Sequence, residues 1–307
     1  MHILISGGAG FIGSHLVRQL LDRKHTIVVL DNLAAGSLDN IADLNIVLWK
    51  QDICNPDIVQ QIVFEKFDVI VHLAAQTMVD SSIKDPIFDA SENIMGTLNV
   101  LEAARQCGAR VIFASTAAAY GDVEENALPV LESHELSPQS FYGLTKVGVE
   151  KYLALYHQHY GIDYVICRFA NVYGERQGEK GEGGVISIFA KRIAAGKDIT
   201  IYGDGTQTRD FVYAGDIARG ICKAMTTKNV NTVYNLSTQT ETSLLDLVKI
   251  MGKVSGCNIV PKFGPVREGD IYRSMLSNQK AKEGLGWEPQ VSLTDGLRRT
   301  MDYFCEN

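Results

Sequence analysis

Short, almost unbroken runs of Ile, Val and Leu recur through the first 170 residues: His2 to Ser6, Thr26 to Leu30, Ile46 to Trp49, Val69 to Leu73, Arg110 to Ala114 and Tyr164 to Phe169. Runs of this length without polar alternation predict strands covered on both faces. Amphipathic stretches lie between them, for example Ser14 to Asp22 and Asn93 to Gln106, and read as helices. Strands alternating with helices predict an α/β fold, a doubly wound parallel (Rossmann) sheet with right-handed crossovers.

Past residue 170 the pattern loosens. Gly174 to Gly184 is rich in glycine and charge and reads as a mobile loop. Helical stretches at Val185 to Ala195, Asp216 to Thr226 and Leu244 to Val254 then alternate with shorter strands. The expected organisation is a doubly wound domain over 1–170, with returns near 212–240, and a smaller interleaved α/β domain from 171–211 and 241–307.

Composition narrows the class. A chain of 307 residues with 46% hydrophobic and 21% charged residues is a typical soluble enzyme. The net charge of −7 argues against a general nucleic-acid binder, which needs clustered Lys and Arg. No apolar run approaches the ~18 residues a membrane span requires. The six cysteines are scattered without a CxxC, which predicts small buried thiols rather than metal ligands. No leader precedes His2-Ile3-Leu4-Ile5, so a cytoplasmic protein is expected.

The first chemical signal is Gly7-Gly8-Ala9-Gly10-Phe11-Ile12-Gly13, between a strand and a helix. Gly7, Gly10 and Gly13 permit a tight turn. With Phe11 and Ile12 they bring backbone N–H groups up to a pyrophosphate at the helix N-terminus. Asp31 and Asn32 end the second strand. An acid there accepts from ribose hydroxyls and repels a 2′-phosphate, which selects NAD over NADP. Asp52-Ile53 follows the third strand: Asp52 accepts from the adenine amino group while Ile53 packs on the ring, or Asp52 caps the next helix. Leu73, Ala74, Ala75 and Gln76 let a cofactor lie close to the fourth strand. His72 reads as a satisfied core histidine.

The second signal is Ser115-Thr116, then Tyr142 and Lys146 four residues apart. On a helix opened by Ser137-Pro138 and closed by Gly161, Tyr142 and Lys146 share a face. The Lys146 ammonium is expected to lower the phenol's pKa. Tyr142 is then the base that takes a hydroxyl proton as hydride leaves the same carbon. Lys146 also bonds the nicotinamide ribose, Ser115 lies on the cofactor side, and Thr116 holds the substrate oxygen.

These motifs resemble the extended short-chain dehydrogenases/reductases, specifically the nucleotide-sugar epimerases of the UDP-glucose 4-epimerase kind. The resemblance continues through Tyr120-Gly121, Arg168 to Gly174, Gly203-Asp204-Gly205, Arg209-Asp210, Arg267-Glu268-Gly269-Asp270 and Leu285-Gly286-Trp287. It implies NAD as cofactor, a UDP-sugar as substrate and a homodimer built on helices near Asn93 to Gln106 and Ser137 to Tyr160. By the same resemblance Asn171, Arg209 and Arg267 hold the sugar diphosphate, Asp270 the uridine ribose, and Val185 and Tyr202 line the uracil pocket.

Ala117-Ala118 stands where related 4,6-dehydratases carry Asp-Glu and decarboxylases a Glu, so a 4-keto sugar has no fate here except reduction. Gly183 to Ser187 lacks the arginine of glucuronate-using relatives, which points to a neutral hexose. Ser274 matches a position beside the sugar's C2. Its small side chain leaves room for an N-acetyl group, or it caps the following segment. The alternatives are a uronate 4-epimerase, a decarboxylase, a 4,6-dehydratase and a catalytically silent NAD-binding sensor.

Overall fold

The structure, a computed structural model, describes residues 1–178, 183–266 and 271–306. Strands β1 (His2–Ser6), β2 (Thr26–Leu30), β3 (Val47–Trp49), β4 (Val69–His72), β5 (Arg110–Thr116) and β6 (Tyr164–Phe169) join Thr232–Leu236 in one seven-stranded sheet. Its order is Thr232–Leu236, β6, β5, β4, β1, β2, β3, and its pairings are parallel. The chain winds outward from β1 in one direction and from β4 in the other. A crevice therefore opens between their C-terminal ends, where such sheets bind ligands.

The unbroken apolar runs follow from burial of both faces. Ile3 and Ile5 pack with Leu16, Leu20, Ile217 and Ile221 on one side. Leu4 and Ile70 pack with Ile58, Ile62, Val100 and Leu101 on the other. A third core, with Ile186, Phe189, Ile201, Phe211, Leu247, Met251 and Leu297, is drawn entirely from residues beyond 170. Its helices are Val185–Ala194, Leu244–Ser255 and Leu293–Glu306.

Local chemistry moves some expected boundaries. The first helix runs Phe11–Leu21, opening at the glycine turn and not at Ser14. The helix carrying Tyr142 spans Phe141–Tyr160 and does not open at Ser137-Pro138. Ser140 is its N-cap, extended at φ −141° and accepting from the Gly143 N–H at 3.1 Å. Ser137 instead crosses the turn at Gly121, where an added Cβ would stand 1.9 Å from its carbonyl oxygen. A π-helical turn, Ser91–Met95, precedes the Gly96–Cys107 helix.

Glu179 to Glu182, within the expected mobile loop, and Arg267 to Asp270 lie outside the described residues. No helix among the described residues is long and apolar enough to cross a membrane. All six cysteines are free thiols.

Candidate active site

A cleft of about 680 Å³ opens over the crevice between β1 and β4. The glycine turn forms one wall. Gly7 has φ +73°, and a Cβ there would meet the Ala74 N at 2.7 Å, while a Cβ on Gly13 would lie 2.2 Å from the Gly7 carbonyl oxygen. Only glycine lets these segments close so tightly. Gly10 caps the Phe11–Leu21 helix without any side-chain hydrogen bond. The first-turn N–H groups therefore have no side-chain cap, and the helix dipole favours an anion there.

Asp31 is buried on this wall. Its carboxylate accepts from the Ala9 N–H at 2.9 Å and the Leu33 N–H at 2.8 Å, tying the turn to the end of β2. A carboxylate has about four lone-pair sites, so further donors can be accommodated. Asn32, Ile53, Leu73, Ala74, Ala75 and Gln76 also line the cleft. Asp52 accepts from Asn32 Nδ2 at 2.8 Å and the Cys54 N–H at 2.7 Å. It does not cap the next helix, Ile58–Glu65, whose N-cap is Asp57. His72 is fully buried between Ser6 Oγ at 2.6 Å and Thr97 Oγ1 at 2.8 Å. Burial pushes it down to about 3, so it is a neutral, satisfied core histidine.

Ser115, Thr116, Tyr142 and Lys146 stand together on the opposite wall. Lys146 is buried, donates to the Ala114 carbonyl at 3.0 Å and lies 4.9 Å from the Phe113 ring centroid and 5.9 Å from that of Tyr142. In the protein without ligand the expected lowering of Tyr142 by this ammonium is outweighed by burial. Burial pushes the phenol up to about 12, opposed by a hydrogen bond from Thr116 and reinforced by the Asp89 carboxylate. Lys146 itself is brought down to about 8 by burial, against the pull of Asp89 and Glu150.

On the substrate side, Asn171 and Val185 line the cleft. Tyr202, Arg209 and Ser274 are outside its lining among the described residues. Tyr202 is 38% exposed. Arg209 donates to the Thr208 carbonyl at 2.8 Å within a short strand that pairs with Thr242–Ser243. Ser274 is half-buried and does not cap the next helix, Gln279–Leu285, whose N-cap is Asn278. Arg267 and Asp270 fall outside the described residues.

Similarity to known proteins decides the lineage. Residues 3–237 match the NAD dependent epimerase/dehydratase family. This chain belongs to that family. A putative UDP-glucose 4-epimerase of Methanocaldococcus jannaschii is 42% identical over 99% of this chain and 99% of its own. The UDP-glucose 4-epimerase of Thermotoga maritima, solved with UDP-glucose, superposes with a TM-score of 0.96 at 39% identity, covering 100% of this chain and 99% of that one. The Thermus thermophilus UDP-glucose 4-epimerase, solved with NAD, gives 0.91 at 38% identity, with 99% of each chain covered.

Two buried groups behind this family's cleft escaped the sequence reading. Glu150 accepts from Ser115 Oγ at 2.5 Å and from Arg168 through Nε at 2.9 Å and Nη2 at 2.5 Å. Its place four residues beyond Lys146 on one helix was the available signal. Asp89, fully buried, accepts from Gln76 Nε2 at 2.6 Å, Asn93 Nδ2 at 3.2 Å and Thr145 Oγ1 at 3.1 Å. Asn93, four residues on, was the local signal, while Gln76 and Thr145 reach Asp89 from separate segments.

Proposed function

We propose that this protein is an NAD-dependent UDP-hexose 4-epimerase that interconverts UDP-glucose and UDP-galactose and also accepts the N-acetylated pair. The observation that carries the reading is one cleft with the glycine turn on one wall and Thr116, Tyr142 and Lys146 on the other. The solved relatives with UDP-glucose and with NAD support it.

The residues fit a dinucleotide. The uncapped helix N-terminus at Gly10 suits its diphosphate, with Phe11, Ile12 and Gly13 alongside. Asp31 and Asn32 suit the adenosine ribose, and Asp52 and Ile53 the adenine. Leu73 to Gln76 with Ser115 would flank the nicotinamide half, and Lys146 would bond its ribose. Bound there, the dinucleotide would supply a reversible hydride acceptor for the sugar's C4 and a positive charge near Tyr142.

As the phenolate, the form that the Lys146 ammonium and the dinucleotide's positive charge would favour, Tyr142 would take the proton of the C4 hydroxyl as the C4–H bond breaks and give it back when the turned ketone is reduced. Thr116 holds the C4 oxygen through its hydroxyl. It also caps the Ala117–Ala119 turn, accepting from the Ala118 N–H at 3.1 Å. Ala117 and Ala118 offer no acid or base, so neither water nor carbon dioxide is expelled. Asn171, Arg209 and Arg267 would hold the sugar diphosphate, Asp270 the uridine ribose, and Val185 and Tyr202 the uracil. Small Ser274 leaves space for an N-acetyl group.

The protein is further proposed to be a cytoplasmic homodimer. Six free thiols support a reducing compartment. Leu144, Leu155 and Tyr160 on one helix, with Met95 beside it, expose apolar surface of the kind that partners cover. Light scattering at micromolar concentration tests this, and a monomeric mass would refute it.

The deciding experiment for the activity incubates purified protein with each UDP-sugar and follows C4 epimer ratios by NMR and product mass by mass spectrometry. Interconversion at unchanged mass is expected. Loss of water or carbon dioxide would instead identify a dehydratase or a decarboxylase.

A further inference from the structure

Arg176 has no part in the roles assigned so far, yet it lines the same cleft as Gly10 and Phe11. Its backbone is held at φ +67°, in the left-handed region. A residue with a Cβ is uncommon there, and such strained positions gather at functional sites.

Its side chain is aimed by a rigid support. Nε donates to Ser14 Oγ at 2.9 Å, and that hydroxyl donates to the Phe11 carbonyl at 2.9 Å. Ser14 is fully buried in the opening turns of the Phe11–Leu21 helix. The segment before Arg176 packs on the same turn, since a Cβ on Gly174 would stand 3.5 Å from Phe11 Cε2. The guanidinium is thus fixed beside the uncapped helix start.

The Arg176 guanidinium feels the pull of the Glu175 carboxylate. Among the described residues Ser14 is its only hydrogen-bond acceptor, and no carboxylate lies within ion-pair distance. Neighbouring Arg18 has its own acid, Asp43, through bonds of 2.7 and 2.8 Å. Glu175 is engaged by the Tyr213 hydroxyl at 2.9 Å. Burial and the nearby Arg18 hold the Arg176 guanidinium below its usual range. A partly buried fork of N–H donors beside a helix N-terminus, without an ion-pair partner among the described residues, is built for a phosphate anion.

We infer that Arg176 is a clamp for the diphosphate bridge of the bound dinucleotide, acting with the glycine turn. This rests on the reading that the cleft holds NAD. The test measures binding by calorimetry to protein stripped of nucleotide, using NAD, ADP, adenosine and UDP as separate probes. Wild type, Arg176→Ala and Arg176→Lys are compared after circular dichroism confirms folding. Arg176→Ala should weaken NAD and ADP about tenfold or more, leave adenosine unchanged, and be partly rescued by Arg176→Lys. Should the alanine variant not fold, Arg176→Gln carries the same expectation.

Wild-type NAD affinity in the variants overturns this inference alone. A loss confined to UDP overturns it by moving the arginine to the nucleotide sugar. A wild-type protein that binds neither NAD nor ADP overturns the underlying reading.

Discussion

Ser115 donates its hydroxyl to Glu150 across 2.5 Å, directly behind the wall that carries Thr116. Glu150 is at the same time ion-paired with buried Arg168, whose Nη1 donates to Tyr120 at 2.8 Å. The end of β5 is thereby locked to the middle of the Phe141–Tyr160 helix. Replacing Glu150 with Ala leaves a buried guanidinium without its carboxylate, a loss of about 3–5 kcal/mol. Urea unfolding should show it. A midpoint within error of wild type would mean that Arg168 has found water or another partner.

Tyr142→Phe should lower kcat by about 10²–10⁴-fold while NAD and UDP affinities stay at wild-type values. The structure adds a second readout. Without ligands the phenol is pushed up to about 12, so ultraviolet titration should find no phenolate attributable to Tyr142 at pH 9. A low-pKa tyrosine that disappears in the Phe variant would show that Lys146 dominates after all.

Acid should destabilise the fold in a defined window. His15 and His72 are both brought down by burial to about 3 from 6.5. Between those values the unfolded chain takes up protons that the folded one refuses, so stability falls as pH falls, by about 1.4 kcal/mol per pH unit for each histidine. Asp210, raised by burial to about 6 from 3.8, has the opposite sign and offsets one histidine below pH 6. Urea midpoints should therefore decline from pH 7 to pH 5, and less steeply in His15→Gln. A midpoint that rises on acidification would contradict this balance.

Ser274→Tyr should remove turnover of the N-acetylated UDP-sugars before it affects UDP-glucose and UDP-galactose. Equal loss on both pairs would mean that Ser274 supports the loop and does not gauge the sugar.

Much of the frame was legible from local rules. β1, β2 and β6 fall where their apolar runs stand, because a strand buried on both faces leaves no room for polar alternation. Gly161 ends its helix at φ +72°, as a left-handed cap requires. The Tyr142–Lys146 spacing put both residues on one helical face. The start of that helix was misplaced, because Ser137-Pro138 and Ser140 are equally good caps locally. The fold places Ser137 across the turn at Gly121 and gives the cap to Ser140.

Spacing and composition thus set the sheet, the glycine turn and the identity of the hydroxyl, phenol and ammonium at the cleft, since each depends on residues close along the chain. Charge and ionisation were settled by folding. Whether Tyr142 sits high or low depends on how deeply it is buried and on Asp89, 53 positions earlier in the numbering. The pairing of Glu150 with Arg168 and the resting of Arg176 on Ser14 likewise join segments far apart in sequence. Desolvation and Coulomb forces act through space, so a linear pattern carries no record of them until the sheet has brought those segments together.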